Sequence, residues 1–92
     1  SKQHAIGSGL TVTFGTGKSA NHNAAHIADL AKKGVSVDEA EKAVLASVSK
    51  LAEKSKFAVD QRVTGTVQVN GVTVTYHGAQ LTPTNINIGT FY

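Results

Sequence analysis

Between Ala20 and Lys56 the apolar residues recur every three or four positions, and between Val59 and Tyr92 they recur mostly every second position. The first spacing is that of helices with one buried stripe, and the second is that of strands with one buried face. Ala20, Ala24, Ile27 and Ala31, with Leu30 beside them, form the stripe of a first helix, which Gly34 closes as a left-handed C-terminal cap. A second helix follows at once. Ser36 and Glu39 make a capping box, acidic residues (Asp38, Glu39, Glu41) crowd its first turns, and lysines (Lys50, Lys54, Lys56) crowd its last, as the helix dipole favours. Its stripe is Val37, Ala40, Val44, Val48 and Leu51.

The β half is announced by Asn70-Gly71, the dipeptide that most readily supplies two positive φ angles for a type I′ turn. A two-residue loop fixes the register. Val69 is expected to face Val72, and Val67 to face Val74, on one side; Thr66 with Thr75, and Thr64 with His77, fall on the other. LTPTN is a second turn, and INIGTFY a last strand carrying Ile86, Ile88, Thr90 and Tyr92 on one side. Near the start, LTVTF reads as a short strand, while residues 1–9, with Gly7, Ser8 and Gly9, read as a flexible lead-in. The expected architecture is α+β: one domain over 1–92, helical at 20–56, with an antiparallel sheet at 58–92 covered on one face and open on the other.

Composition narrows the classes. Ninety-two residues support one modest core. The absence of cysteine removes any disulfide framework or thiolate metal site. A net charge of +3 allows an anionic partner without requiring one. No apolar run approaches membrane-spanning length. A start at Ser1, with neither Met nor a signal-peptide pattern, is what a domain cut from a longer chain would show.

The polar positions carry the chemistry. TFGTGKSANHNAAHIADLAKK superficially resembles a phosphate loop, but Val12 stands where G-x-x-x-x-G-K-S needs glycine, and His22 precedes Asn23 where a zinc-protease helix needs glutamate. His22, His26 and Lys33 share a helix face beside the apolar stripe. Lys2 and His4 sit in the lead-in, and Thr90 and Tyr92 on the last strand. One reaction uses all of these residue types. Metal-independent RNA cleavage needs a base for the ribose 2′-hydroxyl, an acid for the leaving 5′-oxygen, and cations or hydroxyls for the phosphate; histidine suits the first two. No serine lies in a G-x-S-x-G elbow for acyl transfer.

The segments KQHAIGSG, NHNAAHI and VTGTVQVNGVTVTYHG…NINIGTFY, in that order, resemble the C-terminal toxin domains of contact-dependent growth inhibition and related polymorphic toxins. The likeness is to the colicin D-like ribonucleases of the barnase, EndoU, colicin and RelE fold group in particular. That resemblance implies helices on one face of a small twisted antiparallel sheet and an endoribonuclease, acting on transfer RNA with no cofactor or metal. His4 is then the first candidate for acid or base, with His26 or His22 as its partner. Lys2 and Lys18 neutralise phosphate, and Thr90 and Tyr92 contact the scissile phosphate. It further implies a cognate immunity protein, leaves room for a translation factor of the target cell, and places the domain at the end of a large exported surface protein delivered to the cytoplasm of target bacteria. Two other classes fit the residues: a non-catalytic RNA- or protein-binding module of such a surface protein, and a structural adhesin domain built on the threonine- and valine-rich hairpin.

Overall fold

The computed structural model describes residues 2–7, 9–15, 26–54 and 57–92. These form an α+β fold of two helical segments on a curled, mixed sheet of five strands. The strands are β1 (Lys2–Gly7), β2 (Leu10–Phe14), β3 (Arg62–Val69), β4 (Val72–Thr82) and β5 (Asn85–Phe91), in the spatial order β1-β2-β5-β4-β3. All neighbours are antiparallel except β2 and β5, which run parallel. The sheet is therefore not purely antiparallel, as its local patterns had indicated. A pairing between residues 74 positions apart leaves no local signature; here Asn85 supplies it, donating from Nδ2 to Thr13 Oγ1 (2.9 Å) and the Thr11 carbonyl (3.3 Å).

Nor are residues 1–9 a simple lead-in: residues 2–7 are a sheet edge. Lys2, Gln3, His4 and Ala5 pair with Phe14, Thr13, Val12 and Thr11, and an irregularity between Ala5 and Gly7 bends the strand's end. The short hairpin satisfies backbone groups that a mobile tail would leave to water.

The helices end as their residues dictate. In the segment 26–32, which we call α1, the Gly34 N–H donates to the Ala31 carbonyl and the Val35 N–H to the Leu30 carbonyl. With Gly34 at φ 92°, this is a Schellman cap, and Leu30 and Val35 close it as buried core residues. The expected helical residues 20–25 and 55–56 lie outside the described residues. Helix α2 (Val37–Lys54) opens with the expected capping box: the Ser36 N–H donates to Glu39 Oε1, and the Glu39 N–H to Ser36 Oγ, both at 3.1 Å. Ala40, Val44 and Val48 are fully buried, with Val37 and Leu51 packed at the margin.

Helix α2 packs on β3 and β1. The face beneath it is apolar, carrying Val12, Phe14, Val63, Val74, Tyr76, Ile86, Ile88 and Phe91. Burying each such side chain stabilises the fold by about 1.5–3 kcal/mol before entropy is counted. Tyr76 keeps its hydroxyl satisfied 2.7 Å from Ser47 Oγ on α2. Its ring lies over Gly65 on β3, where an added Cβ would stand 2.6 Å from the Tyr76 oxygen. Glycine makes that crossing possible.

Candidate functional site

The outer face of the sheet is set by a register and a bulge. In the β3–β4 hairpin, Asn70 and Gly71 take φ of 53° and 78°, and the pairs Val69–Val72, Val67–Val74, Thr66–Thr75 and Thr64–His77 form as the turn dictates. With Val63, Val74 and Tyr76 buried below, Arg62, Thr64, Thr66, Thr75 and His77 alternate to the outer side. On β5, Phe91 faces Tyr76 and Thr90 faces His77, but Ile88 faces Gly78, so Gly89 is an extra residue. That bulge reverses the alternation. Ile86 and Ile88 point into the core while Thr90 and Tyr92 belong to the outer face, which corrects the single-sided strand expected from the sequence. Tyr92 continues the ladder: the Tyr92 N–H donates to the Thr75 carbonyl at 2.8 Å, and the Thr75 N–H donates to the Tyr92 carbonyl at 2.7 Å.

The bulge brings three rings together. His77 Nε2 and Tyr92 Oη share a hydrogen bond of 3.0 Å, with the donor set by the imidazole tautomer, and the two rings stack with centroids 5.7 Å apart. His26, at the described start of α1, lies against the same phenol at 5.1 Å. Tyr92 is 44% exposed, and His26 and His77 are half-buried, so the cluster is open to a ligand. Thr90 stands across the strand pair from His77, and Thr64 stands on its other side. Two imidazoles, a phenol and two threonines thus converge on one exposed area. Such groups can exchange protons with a substrate and donate hydrogen bonds to an oxyanion.

The structure groups some of the expected site residues and separates others. His26, Thr90 and Tyr92 come together. His22 and Lys18 lie outside the described residues, and Lys2 is placed only through its backbone pairing with Phe14. His4 goes elsewhere: it pairs with Val12 on the face that carries the core, its ring meets Phe14 edge-on at 5.8 Å, and its Nε2 is buried without a hydrogen-bond partner. The sheet lies between His4 and Tyr92. The residue that occupies the site instead is His77, which sequence reasoning had placed beside Thr64 on the outer face without giving it a role. Its signal was the Asn70-Gly71 register, but its partnership with Tyr92 depends on the bulge.

Comparison of the chain with protein-family models, with curated proteins and with solved structures finds no match.

Proposed function

We propose that the chain is an endoribonuclease that cleaves RNA without a metal, with His26 and His77 as its acid–base pair. The observation that carries this reading is the contact of both imidazoles with one phenol, His77 by a 3.0 Å hydrogen bond and His26 by ring contact at 5.1 Å. In the reaction, one imidazole takes the ribose 2′-hydroxyl proton as the 2′-oxygen bonds to phosphorus. The other gives a proton to the 5′-oxygen as its bond to phosphorus breaks. The products are a 2′,3′-cyclic phosphate and a 5′-hydroxyl, and the two histidines end with exchanged protonation. Thr90 and Tyr92 donate to the non-bridging oxygens as charge builds on them. In this reading the expected pairing of His4 with His26 or His22 is replaced by that of His77 with His26, because His4 lies on the core face of the sheet.

The biological setting follows from the resemblance of the sequence to polymorphic toxin domains. In that setting the substrate is transfer RNA, a cognate immunity protein covers the outer face, and the domain reaches the cytoplasm of target bacteria from the end of an exported surface protein. A translation factor of the target cell is a further partner in this reading. The threonine-rich outer face also favours a second reading, a binding module that holds RNA without cutting it.

The test is to incubate the purified chain with total bacterial transfer RNA and excess chelator and to read the fragment ends on a denaturing gel. Discrete fragments ending in cyclic phosphate support the enzyme. Salt-dependent binding with intact RNA supports the binding module instead. Expression in bacteria, with and without a co-expressed immunity protein, tests the toxin setting: unimpaired growth in both would remove it.

A further inference from the structure

Next to the His77 cluster, on the same outer face, the residues Arg62, Ala79 and Asn87 stand in a row across β3, β4 and β5. The middle residue is the small one. Its neighbours therefore rise on either side of it, on strands separated by two inter-strand spacings, about 10 Å. Arg62 is exposed, and its guanidinium makes no ion pair among the described residues. Burying the charge of a neighbour is not its role, and five N–H donors are presented with no acceptor among the described residues. Across the notch, Asn87 Oδ1 is buried without a hydrogen-bond partner, and its Nδ2 makes no hydrogen bond among the described residues either. Among the described residues nothing fixes which end of that amide meets a ligand. Arg62 is also a diagonal neighbour of His77, whose direct partner on β3 is Thr64, within reach of a long side chain.

We propose that the notch over Ala79 seats a phosphodiester of a single-stranded nucleic acid, held by Arg62 and by the Asn87 amide turned donor-outward. This seat takes the phosphate next to the one cleaved, and to that extent it rests on the ribonuclease reading. An unpaired guanidinium suits a phosphate because its planar fork donates two parallel hydrogen bonds to two oxygens. Asn87 supplies a neutral donor opposite, which fixes the phosphate's position without adding charge. In this role Arg62 is a binding residue and takes no part in proton transfer.

The experiment titrates the chain with a short single-stranded 2′-deoxy oligonucleotide, which has no 2′-hydroxyl to attack and so cannot be cut by the proposed chemistry. Titrations of the unaltered chain, Arg62→Gln and Arg62→Lys are repeated over a range of salt. The seat predicts that Arg62→Gln weakens binding several-fold and lowers the slope of log affinity against log salt by about one, while Arg62→Lys keeps the slope and loses part of the affinity. Asn87→Leu weakens binding at every salt concentration with the slope unchanged. On RNA the Arg62→Gln loss falls on KM more than on kcat. Unchanged affinity and slope in Arg62→Gln overturn the seat, and so does inorganic phosphate binding as tightly as the oligonucleotide. If transfer RNA stays intact while Arg62→Gln still loses oligonucleotide affinity, the seat stands and the cleavage reading falls; RNA cleavage with Arg62→Gln indistinguishable has the reverse meaning.

Discussion

His77 and Tyr92 lie fifteen positions apart, on different strands, and their Nε2 and Oη atoms meet at 3.0 Å because one extra residue, Gly89, turns the end of β5 over. The same turn keeps Phe91 buried beneath them. Core and site are therefore coupled through a single bulge, and substitutions at the rings can be separated from substitutions at the bulge.

Replacing either imidazole should remove activity while leaving the fold in place. His26→Ala and His77→Ala are each expected to lower the cleavage rate about 10²–10⁴-fold, with thermal unfolding shifted little. Single-turnover cleavage beside a melting curve checks this. Full activity in His77→Ala would remove the proposed pair.

His4 should behave in the opposite way. It offers a buried, unpartnered Nε2 to an apolar surface around Phe14, so His4→Leu removes an unmet hydrogen-bonding group and adds apolar contact. We expect cleavage to stay within about twofold and stability to hold or rise by about 1 kcal/mol, measured by urea unfolding. A loss of cleavage comparable to that in His77→Ala would return His4 to the mechanism.

Two glycines should be intolerant to different degrees. At Gly65 an added methyl meets the tip of the Tyr76 ring, which can tilt at some cost to its bond with Ser47, so Gly65→Ala should cost about 1–3 kcal/mol. At Gly78 it meets the Asn87 carbonyl oxygen and the Ile88 Cα, backbone atoms of the neighbouring strand that cannot yield alone. Gly78→Ala should therefore be the more damaging of the two, and denaturant midpoints would rank them.

The hairpin turn also carries a pH dependence. Asn70 Nδ2 donates to Glu39 Oε2 at 2.8 Å and to the Gly34 carbonyl at 3.2 Å, tying the turn to the start of α2. The Asn70 amide first, then the Ser36 N–H and hydroxyl, hold the Glu39 carboxyl below the usual glutamate range. A folded pKa below the unfolded one contributes stability that is present above about pH 4.3, the unfolded value, and is lost as pH falls through the folded value. Asn70→Gly keeps the left-handed backbone but removes the bond. Its destabilisation should be larger at pH 7 than at pH 3, and equal losses at both would show that Glu39 is not linked to the turn.

Where the sequence was legible, the information was local. The Asn70-Gly71 dipeptide specified eight paired positions, the Ser36–Glu39 box opened α2 where expected, and Gly34 closed α1. The site was legible in part: Thr90 and Tyr92, and His26 on its helix, were singled out from residue type and spacing. What escaped depended on distant partners. β1 carries too few apolar residues to announce itself and exists because β2 offers it an edge. The β2–β5 pairing joins opposite ends of the chain, and the bulge at Gly89 breaks the very alternation by which faces are read.

The spatial order of the strands also sets an order in time. β5 is the last of the five strands in sequence yet lies at the middle of the sheet, between the β1–β2 hairpin and the β3–β4 hairpin. Until residue 91 is available, those hairpins share no strand neighbour, and closing the loop between β2 and β5 carries the entropy of a long-range contact. The five-stranded sheet, and the Tyr92 end of the candidate site with it, is therefore completed only once β5 has been made.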